Sequence, residues 1–264
     1  MKCDGRGWWE KVRGASALGL LKSVVSRARL TLFPEPEAPW MLKKLEVDRR
    51  FDARFAVETG GVTHLSALHI TGNNRRLGVD HIASDPDELE QALDSLPGDL
   101  KGLTFVDLGS GKGRAVLLAS QRPFRRIVGV EFARELHEAA RANLARFPRS
   151  GQRCERIELV CADAANYELP HEDLVIFMYN PFGLEVMRTI AARARESLRA
   201  HPRRVYVLYT NPFYAEAWTA LGFEPLAGGD NFALLTEPRW RGSEAPAWNE
   251  PKGESGAPAG PVAG

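Results

Sequence analysis

The chain has 264 residues, 44% hydrophobic and 26% charged, with 35 Lys and Arg against 34 Asp and Glu for a formal net charge of +1. That length can bury a full core and fits one domain with decorations, while the near-zero balance gives no global argument for nucleic acid as a partner. No stretch approaches the about 18 uninterrupted apolar residues needed to cross a bilayer, and Cys3, Cys154 and Cys161 lack metal spacing, so a reducing, cytoplasmic compartment is the default.

Residues 1–33 carry seven Lys and Arg against Asp4 and Glu10, a local balance of +5. Trp8, Trp9 and the basic spacing read as a helix packed on the main domain, with an amphipathic helix on a membrane or partner as the alternative. A secretory signal would need a continuous apolar core and a small-residue cleavage site, and neither is present. Residues 33–40 form a proline-rich connector, so residues 1–40 read as a basic helical extension with its linker. Residues 41–100 read as a helical preface. The run from Arg50 to Gly61 ends in a double glycine, a hinge-like turn. Ser84 or Asp85 caps a helix through Leu89, Leu93 and Leu96, with Pro86 in its first turn.

From residue 101 to 239 strands and helices alternate. Strands are expected over 103–108, 126–131, 157–162, 173–179 and 203–209, and helices over 112–121, 133–147, 184–200 and 212–221. This order argues an α/β fold, a doubly wound, mostly parallel sheet with helices on both faces. Phe223 to Leu226, a turn at 228–231, and Phe232 to Leu235 then read as an antiparallel hairpin. Residues 240–264, rich in Gly, Pro, Ala and Ser, are expected to be a disordered tail.

The most informative segment is Thr104 to Arg114. A buried strand ends at Asp107 and breaks into Gly109-Ser110-Gly111-Lys112-Gly113, and an apolar helix starts at Ala115. Glycines there let the backbone turn sharply and approach a ligand, while the first turn of the helix offers unpaired N–H groups. A P-loop would need Lys followed by Ser or Thr, and Lys112 is followed by Gly113 and Arg114. The dinucleotide fingerprint wants Gly-x-Gly-x-x-Gly, and Asp107 would sit poorly beside a pyrophosphate. An acidic side chain suits a ligand with an amino group and a positive sulfonium.

Asp107-Leu-Gly109-Ser110-Gly111-Lys-Gly113 resembles the first motif of the class I S-adenosylmethionine-dependent methyltransferases. Three further positions extend the resemblance. Arg126 to Glu131 is a second strand ending in a carboxylate, 22 residues after Gly109, close to the roughly 20 expected for one that binds ribose hydroxyls. Ile157 to Ala164 resembles the third strand, whose terminal Asp163 would meet the adenine. Leu174 to Phe182 resembles the fourth strand and the motif where acceptor and methyl group meet. The resemblance implies a seven-stranded sheet with the terminal hairpin, S-adenosyl-L-methionine as cofactor, and Asp107, Gly109, Ser110, Gly111, Gly113, Glu131, Asp163 and Ala164 as cofactor-binding residues. It further implies Asn180, Pro181 and Phe182 as the catalytic turn. Related amino-group methyltransferases place two prolines before the aromatic residue, whereas this chain has one. That departure weakens a planar-base acceptor and leaves a nitrogen on a protein or small molecule.

In related methyltransferases a segment ahead of the main domain folds over the cofactor, which makes Glu58 or Thr59 a candidate contact to its methionine part. Lys112 and Arg114 read as solvated or structural. Asn211-Pro-Phe213 repeats the turn at 180–182 and reads as a strand-to-helix turn rather than part of an acceptor site. Cys161 reads as a small buried residue of a core strand. His64, His69 and His81 are dispersed without partners at ligand spacing, so no metal site is assigned. Neither Tyr179 nor Glu185 stands out as a general base. Two alternatives stay open: a nicotinamide-dependent oxidoreductase, and a non-catalytic cofactor-binding module tethered to RNA or membrane by the basic N-terminus. The sequence leaves the oligomeric state unassigned.

Overall fold

The computed structural model describes residues 39–69, 80–179, 181–229 and 231–240. The basic extension expected at 1–33, Asn180 and the tail from 241 lie outside these residues. Helix α1 (Pro39–Phe55) begins inside the expected connector, since proline is tolerated in the first turn, where its missing N–H has no intrahelical partner. Strands β1 (Val62–Thr63) and β2 (His81–Ile82) pair antiparallel as a small separate sheet. Helix α2 (Pro86–Asp94) is capped by Asp85, whose carboxylate accepts from the backbone N–H of Asp87 and Glu88, as an N-cap acid should.

The main sheet follows, with β3 (Thr104–Leu108), α3 (Arg114–Ser120), β4 (Arg126–Glu131), α4 (Arg134–Arg146) and β5 (Ile157–Cys161) in its first half. The second half holds β6 (Leu174–Tyr179), α5 (Leu184–Ala200), β7 (Val205–Thr210), α6 (Glu216–Thr219), β8 (Glu224–Gly228) and β9 (Phe232–Thr236). The seven strands lie in the order β5-β4-β3-β6-β7-β9-β8. The first five named run parallel, and β9 pairs antiparallel with both β7 and β8. The chain leaves β3 toward one edge and returns at β6 toward the other. Ligands of such sheets bind beyond the carboxyl ends of the strands at this reversal.

Alternation along the strands builds two cores. Val106, Val128, Ile176 and Val207 face one layer with Met187, Ile190 and Trp218. Phe105, Ile127, Val175 and Tyr206 face the other with Phe51, Leu89, Leu93 and Val116. Both faces of the central strands are therefore covered, as a doubly wound sheet requires.

Two expectations need correction. The helix expected at 212–221 is only α6, four residues long. Asn211 has φ of 50° and Pro212 follows it, so the first residues of the segment are spent reversing the chain. Cys161, expected to be buried, is exposed. It ends β5, an edge strand whose other four residues are half-buried.

Candidate functional site

A cavity of about 300 Å³ opens beyond the carboxyl ends of β3, β4 and β6, within the range of small-molecule sites. Asp107, Gly109, Ser110, Glu131, Asp163 and Ala164 all line it, together with Pro181 and Phe182. The sequence assigned these residues to one site although they span 76 positions, from 107 to 182.

The glycine loop is built by local hydrogen bonding. The N–H groups of Gly109 and Ser110 both donate to the Val130 carbonyl, at 2.9 and 3.0 Å, and Gly113 N–H donates to Ser110 O at 2.8 Å. Gly109 has φ of 87°, and a Cβ there would stand 2.6 Å from Pro181 Cβ. Glycine is thus required both by the backbone and by the approach of the turn after β6. Gly113 has a different task. It does not line the cavity; a Cβ on it would lie 3.2 Å from Ala140 Cβ, so its absence lets α3 and α4 pack closely.

Glu131 is 4% exposed. Its two oxygens accept from Gly111 N–H and Ala133 N–H, each at 2.8 Å. A carboxylate has about four acceptor sites, so Glu131 can clamp the loop and still accept from a ligand hydroxyl. Burial raises its pKa, and the backbone N–H groups partly offset that. Asp107 is 2% exposed and, among the described residues, receives no hydrogen bond. Burial, with the neighbouring Glu131 charge second, holds its pKa well above the ordinary range. The Ser110 hydroxyl is also buried, without a partner among the described residues. A site with an uncompensated carboxyl and an unused hydroxyl is prepared for a polar, cationic ligand. Asp163 accepts from Ala165 N–H at 2.9 Å, so it closes its own turn as well as facing the cavity.

The preface meets the loop through Arg114, 3% exposed. Its Nη1 donates to Asp48 at 2.5 Å and to Ser84 O at 2.8 Å, its Nε donates to Thr59 Oγ1 at 2.8 Å, and its guanidinium lies 4.7 Å from the Phe51 ring centroid. Lys44 also pairs with Asp48. Arg114 is thus structural, as is Lys112, whose Nζ donates to Gly60 O at 2.8 Å. The candidate contact to the methionine part from Glu58 or Thr59 does not agree with these positions, because neither residue lines the cavity. The Thr59 hydroxyl is occupied by Asp52 at 2.6 Å as well as by Arg114. Glu58 is exposed and pairs with Arg146 at 2.9 Å.

Three lining residues were missed or undervalued in the sequence. Asn211, read as a simple turn, lines the cavity; its left-handed backbone is fixed by a 2.6 Å bond from its N–H to Asn231 O. Its kinship with the 180–182 turn was the available signal. Tyr179 lines the same region, and burial pushes its phenol up to about 12. His81 enters from β2, and a lone histidine in a two-residue strand carries no pattern that would single it out.

Residues 105–201 match the profile of a methyltransferase domain family. Similar solved structures include a TehB-like SAM-dependent methyltransferase from Corynebacterium glutamicum, at 15% identity over 56% of this chain and 85% of that one, TM-score 0.39. A predicted N6-adenine-specific DNA methylase from Listeria monocytogenes is 13% identical over 59% of this chain and 51% of that one, TM-score 0.44. An RNA methyltransferase from Salinibacter ruber in complex with S-adenosyl-L-homocysteine is 17% identical over 66% of this chain and 100% of that one, TM-score 0.41. No curated protein matches the chain. The strand order and the domain profile agree on an α/β methyltransferase domain over residues 105–201.

Proposed function

We propose that this chain transfers the methyl group of S-adenosylmethionine to a nitrogen acceptor on a protein or small molecule. The observation that carries the reading is the pair of buried carboxyls, Asp107 and Glu131, in one cavity at the sheet reversal, with Asp107 lacking any partner among the described residues. In this reading Asp107 receives the ammonium at the amino-acid end of the cofactor. Glu131 accepts from the ribose hydroxyls while holding Gly111. Asp163 and Ala164 bound the adenine, and Gly109 and Ser110 lie against the chain between. A pyrophosphate would meet two acids here, which speaks against a nicotinamide dinucleotide.

The bound cofactor supplies an electrophilic methyl carbon on a sulfonium. Pro181 and Phe182 line the acceptor side of the cavity with Tyr179, and Asn180 completes the proposed turn from the sequence. Their part is to align the acceptor lone pair and exclude water, from which much of the rate in such a displacement derives. Tyr179, with its phenol pushed up to about 12, stays protonated at neutral pH and is a poor base. The acceptor amine is then neutral because the apolar wall disfavours its charged form.

Calorimetric titration with S-adenosylmethionine, S-adenosylhomocysteine and the nicotinamide dinucleotides tests the cofactor. Transfer of labelled methyl into separated protein, nucleic-acid and small-molecule fractions of a lysate tests the acceptor. Label in nucleic acid alone would refute the acceptor assignment. Binding of a dinucleotide in preference to both sulfur ligands would refute the whole reading.

A further inference from the structure

His81 lines the cavity but has no task in the reading above. It packs so closely on the glycine loop that a Cβ on Gly111 would lie 2.4 Å from its Cε1 and Nδ1. The ring is hydrogen-bonded to the Thr59 backbone, while Nε2 is buried and without a partner among the described residues. Nδ1 is therefore the atom bonded to Thr59. Buried ring nitrogens without partners are uncommon and mark a place where a ligand atom is missing.

The charges around it decide which ligand atom fits. Lys112 and Arg114 face His81 from the loop and α3, with Asp48 of α1 as the acid on that side. Asp107 and Glu131 stand on the sheet side of the same cavity. Asp80, next to His81 in the chain, is bonded to the exposed His64 at 3.1 Å. The wall is thus acidic toward β3 and β4, while His81 of β2 lies beside the cations Lys112 and Arg114, with Asp80 also in the lining. An amino acid zwitterion presents one charge suited to each.

We propose that His81 binds the carboxylate at the amino-acid end of the cofactor through Nε2, so that β2 is a cofactor-binding element. This rests on the methyltransferase reading, in which Asp107 takes the ammonium. Because Nδ1 is engaged with Thr59, Nε2 can donate only when the ring carries its second proton. Burial, and after it the Lys112 charge, hold the free imidazole down to about 4, so the ring is neutral at pH 7 before binding. A carboxylate against Nε2 raises that value, and binding takes up a proton. The His81 contribution is greatest at acid pH and declines as pH rises from about 4 through the raised value of the complex.

The test is calorimetry of wild type, His81→Ala and His81→Gln with two ligands. One is S-adenosylhomocysteine. The other is S-adenosyl-3-thiopropylamine, its decarboxylated analogue, which keeps the ammonium. Loss of a charge-assisted hydrogen bond predicts that His81→Ala binds S-adenosylhomocysteine about 10- to 100-fold more weakly and the analogue unchanged within about twofold. Retained analogue binding also shows that the variant is folded. His81→Gln keeps a donor but cannot titrate. Titrations in two buffers of different ionisation enthalpy should therefore show up to one more proton taken up by wild type than by His81→Gln. Equal weakening of both ligands, or of neither, would overturn the inference and leave His81 a packing residue. Failure of wild type to bind either ligand would instead overturn the cofactor reading beneath it.

Discussion

Replacing Asp107 by Asn should make the free protein more stable and the cofactor complex weaker. Asp107 is 2% exposed and its pKa is raised first by burial and then by Glu131. An effective penalty of several kcal/mol for a buried ion, less about 1–3 kcal/mol for an amide left without partners, leaves a gain of about 1–3 kcal/mol. For a chain of this size that is about 3–8 °C in Tm. The pH dependence has a definite sign. A carboxyl whose folded pKa lies above its unfolded value costs nothing below about pH 4, where both states are protonated. As pH rises from there, the unfolded state ionises first and wild type loses stability relative to the variant. S-adenosylhomocysteine at 100 times its Kd should stabilise wild type by about 2.7 kcal/mol and the variant far less. Thermal melts between pH 4 and 8, with and without the ligand, measure all of this. A variant less stable than wild type at pH 7, or one shifted equally by the ligand, would show that Asp107 is not an uncompensated binding charge.

Three further substitutions probe the frame around it. Arg114→Met leaves Asp48 buried, 4% exposed, and should cost about 3–5 kcal/mol in urea unfolding; because Lys44 still pairs with Asp48, the loss should fall at the lower end. Adding Asp48→Asn should recover part of it, whereas strict additivity would argue that the pair is not coupled. Gly109→Ala places a side chain on a backbone with φ of 87°, 2.6 Å from Pro181 Cβ. It should cost about 1–2 kcal/mol from backbone strain and displace the 181–182 turn, seen as at least a tenfold loss of S-adenosylhomocysteine affinity in a folded protein. Glu131→Gln points an amide donor at the N–H of either Gly111 or Ala133, a loss of about 1–3 kcal/mol in both melting and ligand titration. Unchanged affinity would remove Glu131 from the site.

The fold was legible wherever the pattern had one physical source. The strand at 126–131 and the helix at 184–200 have the bounds expected, because an apolar run between turn residues fixes the first and an amphipathic repeat the second. Legibility failed where position in the sheet, not local pattern, sets burial. Cys161 reads like its apolar neighbours, yet it ends an edge strand and is exposed. The candidate site divides in the same way. Asp107, Glu131 and Asp163 lie at or just beyond the carboxyl ends of consecutive parallel strands, so their common placement follows from the βαβ order. Asn211 and His81 arrive by routes the order does not encode. One depends on a left-handed residue held by the turn before β9, the other on a two-residue strand folded back onto the loop. Thr59 was drawn to the cofactor by analogy with lids, but its hydroxyl is already committed to Asp52 and Arg114.

The Arg114 cluster also bears on where the chain can be cut. The domain profile starts at residue 105, which invites a shortened gene beginning near there. Such a fragment would keep the guanidinium at the head of α3 and discard Asp48, Thr59 and the Ser84 carbonyl that surround it. It would strand a cation beside the glycine turn. The smallest piece worth producing therefore starts ahead of Lys44.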